Sequence, residues 1–365
     1  MKNKRKMNKA LKIVLGIVLA LLLVVAGYLA YLLISYHRLP DKVELDINSG
    51  AYETKLKPVQ TGEEYSVITY NLGFGAYTPD FSFFMDGGKS SIAKSKDSVI
   101  TTINGAAELI QDLDADFLLF QEVDLYSTRS YHTNQYEMLT DVFDTYTSNY
   151  AVNYDSAYLF YPFHEPHGKS KSCIATFSKY KMTGALRRSL PISTSFSKFF
   201  DLDRCYSITR IPVDNGKELC LYNVHLSAYG NSDEIREGQV GMLCTDMQND
   251  YEKGNYVICG GDFNHDLKNK EFDADNEYSW AYPFPREMMP ESFSLGIDRF
   301  SDKEKAKMPE SARNADMEYV EGVTFTVTLD GYIVSDNVEV TEYDNIYTGY
   351  LYSDHDPVRM SFKLK

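Results

Sequence analysis

The sequence predicts an α/β body in which two β-sheets pack face to face between outer helices. This four-layer α/β/β/α arrangement is preceded by one N-terminal transmembrane helix. Two observations lead to this fold class. A long charge-free apolar run near the N-terminus is typical of a membrane span. Beyond it, short apolar strands alternate with amphipathic helices, which is typical of packed sheets covered by helices.

The N-terminal region predicts a membrane anchor in residues 13–35. From Ile13 to Ile34 no residue is charged, and at 1.5 Å per residue this run spans roughly 30 Å, the thickness of a bilayer core. Residues 1–12 form a basic tail without acidic residues, which predicts a cytoplasmic N-terminus and a body outside the cytoplasm. The protein is thus expected to be a single-pass cell-membrane protein.

A cleaved signal peptide is the alternative interpretation of this region. The apolar core of a signal peptide usually covers about 7–15 residues and ends at a small-residue cleavage site. Here the apolar run is longer and continues through Leu32, Leu33 and Ile34. This difference favours an uncleaved anchor.

The remaining chain divides into a polar stalk, residues 36–62, and one domain, residues 63–365. Helical spacing of apolar residues predicts helices over Ser91–Leu113, Tyr131–Phe143 and Asp233–Tyr251. Residues 267–322 show little regularity and predict a long insertion over the functional face. β-branched and aromatic runs predict strands over Ser66–Tyr70, Phe117–Phe120, Tyr158–Tyr161, Cys173–Ser178, Ser207–Val213, Leu219–Leu226, Tyr256–Cys259, Thr324–Val334 and Val358–Phe362.

The charge of the body disfavours long polyanions as substrates. The chain has a net charge of −15, and without the six lysines and arginines of the tail the remainder carries about −21. Nucleic-acid-binding proteins normally present a basic face, so nucleic acid is the less expected partner. The five cysteines show no metal-binding spacing, and we expect buried free thiols without disulfide bonds.

Polar residues recur where the apolar strands end. Because strand ends on one edge of a sandwich lie close together, residues distant in sequence are expected to meet there. Two asparagines, one glutamate and three aspartates supply the oxygen ligands that Mg²⁺ prefers, with Mn²⁺ or Ca²⁺ as alternatives, whereas zinc would need more His or Cys. The polar residues are Asn71, Glu122, His225, Asp262, Asn264, Asp330, Asp354 and His355.

The order of six short motifs resembles the endonuclease/exonuclease/phosphatase superfamily. The motifs are YNLG, QEVD, NVHL, GGDFNHD, LDGYIVS and YSDHDPV, and they extend over about residues 65–365. Each motif is weak alone, but six in the correct order at strand ends make a strong signal. The resemblance implies a metal-dependent phosphoester hydrolase with the two-sheet fold predicted above.

The resemblance also implies a role for each strand-end residue. Glu122 resembles the metal-binding glutamate, Asn71 its companion, and Asp354 a neighbour of the metal. Asp262 would activate the attacking water, and Asn264 would hold a phosphate oxygen. His355 resembles the histidine that binds the phosphoryl group, with Asp330 orienting it. His225 resembles the histidine of the phosphatase and sphingomyelinase-like branches.

These expectations define a leading function and two alternatives. The leading one is hydrolysis of a phosphodiester or phosphomonoester, on a small molecule or a lipid headgroup, at the outer face of the membrane. An exported nuclease and a catalytically silent surface-binding module are the alternatives. Retention of Glu122, Asp262 and His355 disfavours the silent module. The sequence gives no indication of oligomeric state.

Overall fold

The structure, a computed structural model, describes residues 8–51, 57–199, 201–228, 233–272, 275 and 280–365. The chain separates into two compact units that divide after Arg38. The predicted basic tail lies largely outside the described residues, as do five residues of the predicted stalk.

The first unit contains helix α1, Lys9–Ser35, which begins four residues before the predicted span. Asn8 caps it, its side chain accepting a hydrogen bond from the backbone N–H of Ala10. By length and composition this helix is apolar enough to cross a membrane, and none of its most apolar stretch is buried.

The second unit contains two mixed β-sheets, as the sequence predicted. Within the described residues, the first sheet has the order β1 (Val43–Glu44), β6 (Gly184–Ser189), β7 (Cys205–Pro212), β8 (Glu218–His225), β9 (Tyr256–Asp262), β13 (Asp330–Ser335) and β10 (Phe293–Leu295). The second has the order β14 (Val338–Asn345), β15 (Val358–Leu364), β2 (Glu64–Asn71), β3 (Phe117–Asp124), β5 (Lys171–Ser178) and β4 (Thr147–Asp155). A small hairpin joins β11 (Ala312–Arg313) to β12 (Thr326–Val327).

Helices cover the outer face of each sheet and complete the four layers. Helices α2 (Lys96–Asp112) and α3 (Gln135–Val142) pack on the second sheet, and α4 (Asp233–Tyr251) packs on the first. A short α5 (Asp302–Lys305) and several 3₁₀ turns lie in the connections. The turns are Gly73–Gly75, Phe84–Asp86, Thr128–Ser130, Phe196–Phe199, Arg286–Met288 and Gly296–Arg299.

The central strands are buried on both faces, because their side chains pack in turn between the sheets and beneath the outer helices. In β2, Tyr65 and Val67 pack in the core between the sheets, whereas Ile68 and Tyr70 pack beneath α2. The pattern is continuous apolar sequence rather than apolar–polar alternation, as expected for strands covered on both faces. The five cysteines are buried free thiols, as predicted.

Several predicted elements differ from the structure. Residues Tyr158–Tyr161 form a loop with one isolated bridge, from Leu159 to Gly168, because the flanking prolines and glycine interrupt a ladder. Strands β4, β6 and β14 were not predicted, since polar residues interrupt their apolar pattern. The predicted strand Thr324–Val334 is divided into β12 and β13. Part of the segment 267–322 is regular, supplying edge strand β10 and strand β11.

Two glycines in β9, Gly260 and Gly261, have close neighbours that leave no room for a Cβ atom. A Cβ at Gly260 would lie 2.6 Å from the Tyr332 ring and 2.7 Å from Leu119 of the opposite sheet. At Gly261, φ is 152° and a Cβ would lie 2.0 Å from the Val224 carbonyl oxygen. The glycines before Asp262 therefore allow β9 to lie flat between its neighbours.

Buried polar side chains also connect the sheets below the strand ends. Gln121 of β3 donates from Nε2 to Oδ1 of Asn223 in β8 at 2.8 Å. Asn223 in turn donates to the carbonyl oxygen of Ala175 at 2.9 Å. The hydroxyl of Tyr332 donates to the carbonyl oxygens of Val67 and Val358. These bonds fix one sheet relative to the other directly beneath the polar strand ends.

Replacing Gly260 with alanine should destabilise the body, because the added methyl group overlaps Tyr332 and Leu119. Overpacking of this kind costs about 1–3 kcal/mol of unfolding free energy. Gly184→Ala is the matched control, since a Cβ there meets no atom within 4 Å. Thermal and denaturant unfolding of both variants would check the prediction. Equal stability of the two variants would contradict the close approach of the sheets.

Candidate active site

The predicted site residues meet at one edge of the sandwich because of the strand register. In the first sheet, β8 runs parallel to β9 and β13 runs antiparallel to it, so His225, Asp262 and Asp330 lie side by side. In the second sheet, β2 and β3 are parallel and bring Asn71 and Glu122 to the same edge. All eight predicted residues are within the described part of the chain.

Asp262 lies at the centre of this group and is buried. One carboxylate oxygen, Oδ2, accepts a hydrogen bond from Nδ2 of Asn71 at 3.0 Å. The other, Oδ1, accepts from the backbone N–H of Asn264 at 2.8 Å. Nε2 of His225 and Nε2 of His355 lie 3.5 and 3.8 Å from Oδ2. Burial raises the pKa of Asp262 to about 7, against the opposing charge of His355.

His355 forms a tight pair with Asp330. Its Nδ1 lies 2.7 Å from Oδ2 of Asp330, which leaves Nε2 directed towards Asp262. Ser311 donates a further hydrogen bond to the same Asp330 oxygen. Burial alone would lower the pKa of His355, but the carboxylates of Asp330 and Asp262 raise it well above its usual range. His355 is therefore a cation with one N–H available in the site.

The second histidine, His225, is neutral where His355 is charged. Burial and the positive charges of Arg204 and His355 lower its pKa well below the usual value, so the ring is neutral. Its Nδ1 is buried and has no hydrogen-bond partner among the residues that the structure describes. The site thus combines a charged and a neutral imidazole on either side of one carboxylate.

Glu122 enters the site through a β-bulge. The pairing of β3 with β5 shifts between Phe120 and Val123, and Glu122 there has a positive φ of 53°. A bulge of this kind redirects one side chain out of the regular alternation, and bulges are common beside active sites. No hydrogen bond to the Glu122 carboxylate is present among the described residues, although burial raises its pKa.

Asp354 and Asp86 complete a cluster of carboxylates with Glu122. Asp354 lies against the 3₁₀ turn after β2, where a Cβ at Gly73 would come within 3.1 Å of its Oδ1. Burial raises the pKa of Asp354. Burial, together with the charges of Asp354 and Glu122, raises the pKa of Asp86 to about 7. Asp86 was missed from the sequence, because it follows no strand and belongs to no recognised motif.

Asn71 and Asn264 use their side chains on protein partners. Asn71 Oδ1 accepts from the backbone N–H of Gly73, and its Nδ2 is bonded to Asp262. Asn264, with a φ of 51°, donates one Nδ2 hydrogen to the carbonyl oxygen of Leu226. In this structure the Asn71 side chain holds Asp262 and the Asn264 side chain holds the Leu226 backbone, and their predicted contacts with metal and phosphate stay predictions.

A cavity of about 360 Å³ is lined by six of the eight predicted site residues, Asn71 and Asp330 lying behind its lining, and by a partly aromatic region. Three arginines also line it: Arg129, Arg204 and Arg313. Arg129 forms a buried ion pair with Asp124 and lies 3.9 Å above the Phe74 ring. Further lining comes from Tyr77, Phe83, Met85, Tyr154, His167, Leu202, Trp280, Ala315 and Leu329.

Sequence comparison assigns the chain to a family. The model of the Endonuclease/Exonuclease/phosphatase family matches residues 68–301, which is more than half of the chain. The chain belongs to this family. The family includes phosphodiesterases, phosphatases and nucleases; its members hydrolyse phosphoesters and use divalent metal ions. A search of curated proteins found no match.

Solved structures of the endonuclease/exonuclease/phosphatase family share the fold at low sequence identity. A protein of this family from Beutenbergia cavernae is 15% identical, with a TM-score of 0.59 over 82% of this chain and 72% of its own. The human Nocturnin catalytic domain with bound sulfate is 15% identical (TM-score 0.54; 88% and 97% covered). Danio rerio TDP2 complexed with a single strand DNA product is 13% identical (TM-score 0.54; 82% and 99% covered).

The carboxylate cluster fits the divalent cation that the family uses. Glu122, Asp354 and Asp86 line one cavity, and burial together with the charge of Asp354 raises the pKa of Glu122 and of Asp86, an effect that a bound cation would oppose. Oxygen donors of this type suit Mg²⁺ or Mn²⁺. Among the described residues, the ligand atoms of Asp262, Asp330 and His355 lie within 4.8 Å of one another, whereas those of Glu122, Asp354 and Asp86 do not form so close a group. Because Asp330 and His355 are already bonded to each other, Glu122 stays the predicted metal ligand.

Replacing Asp330 with asparagine should lower the pKa of His355, because the nearest negative charge is lost while the hydrogen-bonding shape is kept. In the metal-free wild type we expect His355 to stay protonated through neutral pH. In Asp330→Asn it should lose its proton at a lower pH. NMR titration of histidine-labelled protein would measure this. An unchanged titration would contradict the electrostatic pairing.

Proposed function

We propose that this chain hydrolyses a phosphoester bond with the help of a divalent cation, at the outer face of a membrane. The substrate is a phosphodiester or phosphomonoester of a small molecule or a lipid headgroup. The proposal includes the division into a basic tail (1–12), anchor (13–35), stalk (36–62) and catalytic domain (63–365). The arrangement around Asp262, with His355 and the Glu122 cluster on either side, is the observation that carries it.

Asp262 is suited to accept the proton of the attacking water. Its pKa of about 7 matches a general base that works near neutral pH, and Asn71 and Asn264 hold its two oxygens in position. No serine or cysteine nucleophile is needed for this reaction. Direct attack by water on phosphorus is therefore the expected route.

The two histidines are suited to complementary tasks. Cationic His355 can donate from Nε2 to a phosphoryl oxygen as negative charge develops, and Asp330 preserves its charge and orientation. Neutral His225 can contact the phosphate or assist the departing oxygen. A divalent cation bound at Glu122 would neutralise phosphate charge and stabilise the leaving group. His225 at the end of β8 supports a relationship to the phosphatase and sphingomyelinase-like branches.

Exposed apolar side chains near the cavity support a lipid substrate. Met85 lines the cavity and is largely exposed, and the neighbouring Phe84 ring lies 5.9 Å from Tyr161. Tyr161 shares its loop with Phe163, and these two side chains are 65% and 84% exposed. A cluster of this kind at a site entrance is typical of a membrane or protein contact. The strongly acidic body favours an uncharged or zwitterionic lipid surface.

Hydrolysis should require a divalent cation, Asp262 and His355. With Mg²⁺, the full chain in detergent should cleave at least one of p-nitrophenyl phosphate, bis-p-nitrophenyl phosphate and p-nitrophenyl phosphorylcholine. EDTA, Asp262→Asn or His355→Gln should each reduce turnover by about 100-fold or more. The exposed changes Asp302→Asn and His132→Gln are the matched controls and should leave activity unchanged.

The same assays distinguish the alternatives. Faster cleavage of single-stranded DNA than of these small phosphoesters would favour an exported nuclease; the TDP2 neighbour is complexed with a single strand DNA product. A folded chain that binds metal but cleaves none of these substrates would contradict the hydrolase proposal and favour the surface-binding module.

The loop that contains Tyr161 and Phe163 should affect hydrolysis only when the substrate is in a bilayer. Exchanging Tyr161 and Phe163 for serine removes exposed apolar area, so apparent KM on phosphatidylcholine or sphingomyelin vesicles should rise about fivefold or more. Turnover of soluble bis-p-nitrophenyl phosphate is the internal control and should stay constant. An equal effect on both substrates, or none on vesicles, would exclude a lipid-binding role for this loop.

A further inference from the structure

Arg204 is a buried cation in the cavity that the proposed hydrolysis does not yet use. It immediately precedes β7, and its carbonyl oxygen accepts a hydrogen bond from the backbone N–H of Leu190 at 2.9 Å. The next residue, Cys205, pairs with Ser189 in the β6–β7 ladder. The backbone of Arg204 is therefore held by the first sheet, and its side chain begins from a rigid position.

The guanidinium group of Arg204 has unused hydrogen-bond donors. Its side chain is only 7% exposed, yet within the described part of the chain Nε and Nη1 have no hydrogen-bond partner. The nearest carboxylate oxygen, Oδ1 of Asp201, lies 4.0 Å from Nη2, which is too long for a hydrogen bond. A buried charge without hydrogen bonds is costly and is normally matched by an anion.

The other two arginines that line the cavity donate most of their hydrogen bonds to protein acceptors. Arg129 donates to both carboxylate oxygens of Asp124. Arg313 donates from Nη1 and Nη2 to backbone carbonyl oxygens, among them that of Thr78. Of the three arginines lining the cavity, Arg204 has the greatest share of donors without a protein acceptor.

Arg204 is also close to the reacting groups. It lines the same cavity as Glu122 and His225, and its positive charge acts on the ionisation of both residues. An anion bound to Arg204 would therefore lie beside the neutral imidazole of His225. This is the side of the site at which a phosphoryl oxygen would need a positive partner.

We propose that Arg204 forms an anion subsite that binds oxygens of the substrate's phosphoryl group and favours a phosphomonoester over a phosphodiester. This inference rests on the proposed function and deepens it. A phosphomonoester has three non-bridging oxygens and close to two negative charges at neutral pH, whereas a diester has two such oxygens and one charge. The additional oxygen and charge are what the unused donors of Arg204 can recognise.

The kinetic test compares a monoester with a diester in the full chain. Arg204→Gln should lower kcat/KM on p-nitrophenyl phosphate about tenfold or more, mainly through a higher KM, and should change kcat/KM on bis-p-nitrophenyl phosphate by less than about threefold. Arg204→Lys should restore part of the loss on the monoester. Arg188→Gln is the matched control, because Arg188 lies on neighbouring β6 and binds Asp41 and Asp246 outside the cavity.

A binding measurement separates this proposal from the hydrolase proposal. Inorganic phosphate, titrated into the EDTA-treated full chain, should bind the wild type and Arg188→Gln at least about tenfold more tightly than Arg204→Gln. If phosphate binds with this difference but no substrate is hydrolysed, the subsite is supported and the hydrolase proposal is contradicted. Metal-dependent turnover with equal phosphate binding in wild type and Arg204→Gln would overturn the subsite alone. An equal loss of kcat/KM on the monoester and the diester in Arg204→Gln would also overturn the subsite.

Folding is monitored by the thermal midpoint of each variant. Because Nε and Nη1 of Arg204 have no hydrogen-bond partner among the described residues and Asp201 is 4.0 Å from Nη2, Arg204→Gln should unfold at the wild-type temperature or higher. Phosphate should raise the midpoint of the wild type more than that of Arg204→Gln. A midpoint that falls in Arg204→Gln and Arg204→Lys alike would mean that Arg204 stabilises the fold, and would contradict an anion subsite.

Discussion

The burial of the Asp262 carboxylate is the constraint on which the rest of the site depends. A carboxylate in this environment must be supported by donors, and it receives them from Asn71 of the second sheet and from the backbone of Asn264. Asn71 therefore both connects the two sheets and fixes the proposed base. His225 and His355 both approach the same Asp262 oxygen, while the hydrogen bond to Asp330 orients His355.

The fold supplies this arrangement through register and close packing. Pairing of Asp262 with His225 on one side and Asp330 on the other follows from the ladder of the first sheet. Gly260 and Gly261 allow β9 to approach its neighbours, so the GGD motif combines a packing requirement with a chemical one. The buried Gln121–Asn223 contact beneath the site adds a second bridge between the sheets.

Motif order was sufficient to predict the two-sheet fold and the family, because strand-end residues lie in short local patterns. Residues that act across loops were not accessible in this way. Asp86 and Arg204 enter the cavity from a turn and from the start of a strand, and neither belongs to a recognised motif. The bulge at Glu122 and the pairing of β10 with β13 depend on tertiary contacts that one sequence does not specify.

The most direct test of this account is the location of a divalent cation in the protein. Anomalous diffraction from crystals of the full chain soaked with Mn²⁺ would determine it. The account predicts an ion within about 2.2 Å of a Glu122 carboxylate oxygen, on the cavity side that faces Asp262 and His355. An ion bound elsewhere, with the Glu122 carboxylate uncoordinated, would contradict the assignment of this strand-end cluster as a metal-dependent hydrolytic site.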